Sequence, residues 1–244
     1  MIRNHDLPAS QGMRVNFDAT RSLLDALRHK RPGIRVIYAS AGAVYGGDVA
    51  APVTEAMRPT PESSYGCEKM MCECLVNEYT RRGFLSGLVV RPPTVSVRPG
   101  QPSAAASSFF SGIIREPLRA LPCVVPIRDR SFAHWITSPR VLVRNLIRCL
   151  EIAGDALPAH DRVVNMPGIG VTVQGMMDSL ARVGGEDKLR HVSEVEDPRM
   201  ARILYSWPAA FDNSRALSLG FVRDTSFDDI VRDFKAGLEG VSSA

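Results

Sequence analysis

The chain has 244 residues, of which 45% are hydrophobic and 23% charged, so it is long enough to bury a sizeable core and too apolar to be disordered. Its formal net charge is +4, and its arginines are scattered along the chain without a dense basic run. Composition and charge therefore indicate a globular protein and argue against a nucleic-acid-binding module.

The first predicted elements are a helix and a strand. Apolar residues recur at helical spacing over 13–29, which predicts an amphipathic helix that ends at Pro32 and Gly33. A β-rich apolar run at 34–39 is typical of a strand buried on both faces. A loop rich in glycine and proline follows over 40–62.

A second helix and a second strand come next. The stretch 65–82 predicts a helix, with Ser63 or Ser64 as its cap. The predicted apolar stripe of this helix includes Cys67, Met71, Cys74 and Leu75. A second buried strand is predicted over 87–91. Because strand, crossover helix and strand alternate, we expect a parallel sheet.

The second half of the chain predicts a smaller α/β lobe. A helix is expected to begin at Ser138, with Pro139 at its first position. Ser226 and Asp229 have the spacing of a helix cap. The other predicted elements are a short helix over 104–115, a strand over 162–166 and helices over 173–183 and 227–239.

The cysteines, histidines and apolar runs argue against a metalloprotein, a membrane protein and a secreted protein. The five cysteines are odd in number and lack metal-ligand spacing, and the five histidines are dispersed, so we expect reduced thiols and no metal site. The longest apolar runs are too short to cross a bilayer, and the first ten residues lack the apolar core of a signal peptide. We therefore expect a cytoplasmic protein without a membrane span.

The main chemical motif is the pair Tyr65 and Lys69, which lie four residues apart on one face of the predicted helix. A free tyrosine has a pKa near ~10, and a neighbouring lysine cation favours the phenolate. Such pairs are also common on surface helices. Here the helix follows a loop that leaves the carboxyl end of a buried strand, where ligands bind in open α/β sheets. The pair therefore predicts an acid–base site.

These motifs resemble the extended short-chain dehydrogenase/reductases, also called the NAD-dependent epimerase/dehydratase group. In that family a strand with a V-Y-G ending, a Y-x-x-x-K helix and a strand ending in R-P occur in this order, here with V-Y-G at 44–46 and R-P at 91–92. Asn16 matches the family's N-x-x-G/A-T motif. The segments 97–100 and 103–118 resemble a subgroup acting on small sugar acids such as D-erythronate.

The resemblance implies roles for the residues at matching positions. Tyr65 is expected to take a proton from a substrate hydroxyl while hydride passes to the nicotinamide of NAD. Lys69 is expected to lower the tyrosine pKa and bind the nicotinamide ribose, and Asn16 to help hold the proton-relay geometry. The cofactor contacts implied by the family are Ala39, Tyr65, Lys69, Pro93, Thr94 and Val95.

Substrate contacts are predicted from charge and position. Arg98 and Arg115 bracket the subgroup segment and offer bidentate forks for a carboxylate, with a surface charge or an internal ion pair as the alternative. Ser107 offers a hydroxyl to a polyol, or lines a helix. His134 and Trp135 lie about where the second lobe meets the pocket in the family, and simple packing is the alternative.

The serine position departs from the family pattern. The family places Ser or Thr three residues before the valine of V-Y-G, and Ala41 stands there. Ser40 precedes it, and its side chain should point to the opposite face of the strand, so it replaces the missing hydroxyl only if the strand end twists. Losing one such hydrogen bond typically costs about a hundredfold in rate. Ser40 therefore stays a candidate.

The second departure is that the chain contains no G-x-x-G-x-x-G fingerprint. Compared with the family pattern, the chain begins just before the helix that carries Asn16, so we expect about four strands of the family's sheet to be missing. We therefore expect an α/β fold with a partial Rossmann-like parallel sheet, the N-terminal strands missing, and a small C-terminal α/β substrate lobe. Residues 1–100 are predicted to be the C-terminal half of the NAD-binding domain, and 101–244 mainly the substrate lobe. A mis-set gene start, a truncated relative or completion by another chain are the explanations.

The leading functional hypothesis is NAD-dependent oxidation of a secondary hydroxyl of a small sugar acid such as D-erythronate. The alternative is a catalytically inactive truncated relative that acts as a scaffold. A nucleotide-sugar epimerase or dehydratase is a third option within the family. NAD rather than NADP, and a homodimer, follow from the resemblance alone.

Overall fold

The computed structural model describes residues 9–47, 49–103 and 105–241. Its strands are β1 (Arg35–Ala39), β2 (Ser86–Arg91), β3 (Thr94–Val95), β4 (Cys123–Val125), β5 (Ala133–Thr137), β6 (Val163–Asn165), β7 (Ile169–Thr172) and β8 (Val192–Glu194). Its helices are α1 (Ala9–Gly12), α2 (Ala19–Lys30), α3 (Ser64–Arg81), α4 (Phe109–Leu118), α5 (Pro139–Glu151), α6 (Val173–Ser179), α7 (Pro198–Tyr205), α8 (Ser214–Ser218) and α9 (Phe227–Val241). Short 3-10 turns lie at Gly42–Val44, Ala106–Ser108 and Glu186–His191, and π-helical turns at Met13–Asp18 and Leu180–Gly184.

A three-stranded parallel sheet with the order β1-β2-β6 positions the site. Leu88, Val89 and Val90 of the central strand are fully buried, since helices cover both faces of the sheet. Side chains of α2 and α3 pack on one face, and side chains of α5 and α8 pack on the other. The predicted α/β fold with a parallel sheet is confirmed.

The predicted N-terminal helix is present and begins earlier than expected. The π-helical turn at Met13–Asp18 joins α1 to α2, so helical backbone runs over 9–30. This turn carries Asn16, whose backbone carbonyl accepts hydrogen bonds from the Thr20 hydroxyl at 2.6 Å and the Cys72 thiol at 3.3 Å. The turn is thereby tied to α3 beside it.

Helix α3 lies within one residue of its prediction, and Ser63 is its cap, accepting the Gly66 amide at 3.1 Å. Cys67 and Cys74 of the predicted apolar stripe are exposed, so these two side chains do not face the sheet. The buried face of α3 consists of Gly66, Glu68, Cys72, Glu73 and Val76. Two carboxylates are buried there because hydrogen bonds and an ion pair satisfy them.

The second half adds a mixed sheet of order β3-β5-β7 and a parallel pair, β4 and β8. Helices α4, α6 and α9 pack their apolar faces into one core around Phe110, Ile113 and Ile114. The predicted strand at 162–166 is β6, so the chain returns to the first sheet. The predicted helix 104–115 lies at Phe109–Leu118 after a 3-10 turn; Ala104 is outside the described residues.

Helix caps in the second half agree with their predictions. Ser138 accepts the Val141 amide at 3.1 Å with Pro139 as the first residue of α5, and Ser226 accepts the Asp229 amide at 3.2 Å. Strands β3, β4, β5, β7 and β8 and helices α7 and α8 were not predicted. Within the described part of the chain, no helix is long and apolar enough to cross a membrane.

Candidate active site

A cavity of about 260 Å³, here named the main cavity, lies at the carboxyl ends of β1 and β2. The first half of the chain contributes Ser40, Ala41, Gly42, Ala43, Tyr65, Arg91, Pro92, Pro93 and Thr94 to its lining. The second half contributes Ser107, His134, Trp135, Met166, Trp207, Pro208 and Phe211. The two halves therefore meet at this cavity, as ligand sites of α/β sheets commonly do.

Tyr65 reaches the main cavity because the start of α3 packs directly against the loop after β1. A Cβ atom on Gly66 would lie only 2.1 Å from the Ala43 carbonyl oxygen, so the absence of a side chain permits this approach. The Ser63 cap fixes the first turn of the helix. Tyr65 also lines a second cavity of about 490 Å³, here named the outer cavity.

Lys69 lies beside Tyr65, as predicted. Its ammonium donates a hydrogen bond to the Ala39 carbonyl at 2.8 Å and lies 5.7 Å from the Tyr65 ring centroid. The same ammonium lies 4.9 Å from the centroid of the Tyr38 ring, which adds a cation–π contact. Burial lowers the pKa of Lys69, and the neighbouring Cys72 and Glu73 oppose this effect.

The pKa of Tyr65 differs from the expectation. Burial raises it, and the negative charge of Glu68 raises it further. The neighbouring Lys69 ammonium, which donates to the Ala39 carbonyl, does not offset these two effects. In this structure Tyr65 is therefore a protonated phenol at neutral pH.

Ser40 and Ala41 both belong to the lining, but the Ser40 hydroxyl has a different partner. It donates a short hydrogen bond to the buried carboxylate of Glu73. Ala41, at the position where the family has a hydroxyl, carries none. The structure thus gives the Ser40 hydroxyl a role in an internal network, and its catalytic role stays a prediction.

That network connects α3 to the cavity wall and was not predicted. The Arg91 guanidinium pairs with both carboxylate oxygens of Glu73, at 2.8 and 2.5 Å, and their side chains are 3% and 4% exposed. Arg91 also donates to the Tyr45 hydroxyl, which accepts the Asn165 amide at 3.2 Å. The Arg91 guanidinium thus satisfies the buried Glu73 carboxylate and fixes the relative positions of β2, α3 and the loop that carries Tyr45.

His134 and Thr94 line the cavity together. The His134 Nε2 atom lies 2.7 Å from the Thr94 hydroxyl, and its ring stacks on Phe110 at 4.3 Å between centroids. Burial lowers the pKa of His134 to about 3, so its ring is neutral at physiological pH. Pro93 and Trp135 are also in the lining, whereas Val95 follows in β3 outside it.

Arg98 and Arg115 lie away from the main cavity, whereas Ser107 lines it. The Arg115 guanidinium is buried, pairs with the Glu116 carboxylate at 2.7 Å and donates to the Arg98 carbonyl at 2.9 Å. The side chain of Arg98 reaches the Ser107 carbonyl at 3.5 Å. Arg115 thus has the internal ion pair considered as its alternative, and the substrate roles of both arginines stay predictions.

Besides Arg91, the sequence reasoning missed Trp207 and Glu68 at these cavities. Trp207 lines both cavities, and its ring centroid lies 5.3 Å from that of His134. Glu68 is buried and accepts the Asn16 side-chain amide at 2.7 Å. Its position three residues after Tyr65, on the same helical face, was the only available signal.

A phenol and an ammonium beside an aromatic-walled cavity, at the carboxyl ends of parallel strands, define an α/β protein equipped for proton transfer with a bound ligand. Among the described residues, no group of three or more histidine, cysteine, aspartate or glutamate side chains could hold a metal ion.

Residues 3–131 match the model of the NAD dependent epimerase/dehydratase family. D-erythronate dehydrogenases from Cupriavidus necator and Haemophilus influenzae are 45% and 40% identical to the chain, over 93% and 91% of it and 70% of each relative. The chain therefore belongs to the NAD dependent epimerase/dehydratase family. Membership implies a nicotinamide dinucleotide cofactor and a small-molecule substrate.

Solved structures agree with this assignment. The chain superimposes on a nucleoside-diphosphate-sugar epimerase from Agrobacterium tumefaciens with a TM-score of 0.88 and 37% identity, over 93% of this chain and 67% of that one. An L-threonine dehydrogenase from Cupriavidus necator gives a TM-score of 0.86 at 18% identity, over 96% and 75%. The second likeness concerns the fold alone.

Proposed function

We propose that the protein is an NAD-dependent oxidoreductase that oxidises a secondary hydroxyl of a small sugar acid, with D-erythronate as the first substrate to test. The observation that carries this proposal is the placement of Tyr65, with Lys69 beside it, on a small cavity at the carboxyl ends of the parallel strands. The D-erythronate dehydrogenases that the chain resembles support the choice of substrate.

The residues present fit the nicotinamide end of the cofactor. The Lys69 ammonium and the Ala39 carbonyl lie together at the carboxyl end of β1, which suits the hydroxyls of a ribose. Pro93 and Thr94 follow the end of β2 and line the same cavity as Tyr65. Bound there, the nicotinamide would accept the hydride released by the substrate carbon.

Tyr65 supplies the proton chemistry in this proposal. Its phenolate oxygen accepts the proton of the substrate hydroxyl as the carbonyl forms, and the Lys69 cation stabilises the phenolate. Because the pKa of Tyr65 is raised, the phenolate fraction, and with it the rate of oxidation, increases with pH. The rings of Trp135 and Trp207 wall the cavity and limit the access of water.

The cavity favours a small polyhydroxylated substrate. Its volume of about 260 Å³ is at the small end of ligand sites. The hydroxyls of Thr94 and Ser107 and the neutral ring of His134 are polar groups in its lining. Since Arg91 is held by Glu73, we propose that neutral donors contribute to the recognition of the sugar acid.

Steady-state assays of the 244-residue chain with D-erythronate test this function, with NAD and NADP compared and reduced nicotinamide as the readout. Tyr65→Phe removes only the hydroxyl and should lower kcat by about 10²–10⁴-fold. Oxidation unaffected by Tyr65→Phe would refute the proposed role of the phenol. A folded chain that binds NADH but oxidises neither D-erythronate nor related sugar acids would favour the inactive alternative.

A further inference from the structure

Glu68 is a carboxylate buried beside the proposed acid–base residue. Glu68 is only 2% exposed, and it lines the outer cavity together with Tyr65. The absence of a side chain at Gly12 makes room for it, because a Cβ atom there would lie 2.4 Å from Glu68 Oε1. The end of α1 therefore closes over this carboxylate, and its charge acts in a desolvated environment.

The same carboxylate orients the side chain of Asn16. Asn16 Nδ2 donates to Glu68 Oε2 at 2.7 Å, across 52 positions of the chain. The backbone carbonyl of Asn16 accepts the Cys72 thiol from the next turn of α3. Glu68 thus accepts a hydrogen bond from Asn16 and shares the outer cavity with Tyr65, the two residues to which the family resemblance gives roles in proton transfer.

Three other charged groups of the described residues face this region. From α3 comes the Lys69 ammonium, from the loop before α3 comes Glu62, and from α7 comes Arg202. The π-helical turn contributes the neutral amide of Asn16. Glu62 and Arg202 are exposed, so water screens their charges, whereas Glu68 is buried.

We propose that Glu68 is a positioning residue for Asn16, and that its buried charge, on the cavity it shares with Tyr65, keeps the proton on Tyr65. The part of this inference that concerns turnover rests on the proposed function. In the oxidative direction Glu68 makes Tyr65 a base that operates better at higher pH. In the reductive direction it keeps Tyr65 ready to donate a proton to a carbonyl at neutral pH.

The test is a pH titration of Tyr65 by NMR with ¹³Cζ-labelled tyrosine. The chain has five tyrosines, so Tyr65→Phe assigns the relevant signal by its disappearance. Glu68→Gln is isosteric, still accepts the Asn16 amide and should lower the pKa of Tyr65 by about one unit. Glu62→Gln, which removes an exposed carboxylate of the same cavity, should leave it unchanged. An unchanged Tyr65 pKa in Glu68→Gln would overturn the proposal.

This titration needs no turnover, so its result is independent of the proposed dehydrogenase activity. Glu68→Ser is a second neutral variant in case glutamine does not fit beneath Gly12. In the turnover arm, Glu68→Gln should move the rising limb of the kcat/KM profile to lower pH. A lower melting temperature with an unmoved profile would assign Glu68 to packing alone and contradict the inference.

Discussion

Gly66 is the position where a single methyl group should harm both stability and activity. It lies in the first turn of α3, next to Tyr65, against the loop that forms the cavity wall. A Cβ atom there would lie 2.1 Å from the Ala43 carbonyl oxygen and 3.0 Å from the Pro61 Cβ atom. Both contacts are with rigid groups, so a side-chain rotation cannot relieve the overlap of Gly66→Ala.

The magnitude follows from the overlap. Real Cβ atoms essentially never approach another heavy atom closer than 3.0 Å, so the start of α3 and the loop at Ala43 must part by close to ~1 Å. Overpacking costs about 1–3 kcal/mol, and an overlap with rigid groups belongs to the upper part of that range, above the roughly 1 kcal/mol that alanine gains over glycine in a helix. A displacement of about 1 Å at a reacting group can lower the rate about a hundredfold. Gly66→Ala should therefore fold less stably and lose most of its turnover.

Urea unfolding followed by circular dichroism, together with sugar-acid oxidation, measures both effects. Gly237→Ala is the matched control, because it makes the same change in helix α9, where no described atom outside the helix's own backbone lies within 4 Å of the new methyl group. The control should be neutral or slightly stabilising. A Gly66→Ala protein as stable as the control, with unchanged kcat, would refute the claim that close helix–loop contact positions Tyr65.

Two further predictions concern buried groups. Glu73→Ala should destabilise the protein by about 3–5 kcal/mol, because it leaves the Arg91 charge unpaired and buried. Glu78→Ala, which breaks an exposed pair with Arg81 on the same helix, should cost less than about 1 kcal/mol. Equal losses of the two variants in urea unfolding would contradict this prediction. Burial lowers the pKa of His134 to about 3, so between the ordinary value of about 6.5 and 3 the unfolded chain binds a proton that the native chain does not, and stability falls as the pH falls. His134→Phe should flatten this acid slope, and an unchanged slope would show that other groups cause it.

The long elements were predictable because their signals are local. Strands β1 and β2 are β-rich apolar runs, and both strands were predicted from them. Burial on both faces holds for β2. It is wrong for β1, which lies at the edge of the described sheet and is only partly buried. Helix α3 begins after a serine cap and ends near Gly83. The Tyr65 and Lys69 pair follows from helical spacing alone, so its side-by-side placement could be predicted.

The buried face of α3 could not be predicted from hydrophobicity. Cys67 and Cys74 looked suited to the interior, yet the interior holds Glu68 and Glu73. These carboxylates are buried because Asn16 and Arg91 satisfy them from other parts of the chain. A pattern within one helix carries no information about such distant partners.

The approach of Trp207 to the cavities likewise depends on distant pairing. The Val53 amide donates to the Ala210 carbonyl at 2.9 Å, and the Asp212 amide donates to the Val53 carbonyl at 2.8 Å. These bonds hold the segment after α7 against the loop after β1. Strand β5, which carries His134 and Trp135, is five residues long and mixes polar with apolar residues. Its hydrophobic periodicity was therefore too weak to predict a strand.

The measurement that tests the central claim most directly is a fluorescence titration of NADH into the purified 244-residue chain, with Lys69→Ala as the comparison. Our account predicts saturable binding at micromolar concentrations, weakened at least tenfold by Lys69→Ala because the donor to the ribose is lost. Tyr65→Phe should still bind NADH, because it removes the proton acceptor and leaves Lys69 in place. A folded, soluble chain that shows no saturable NADH binding would contradict the claim that this polypeptide is itself an NAD enzyme.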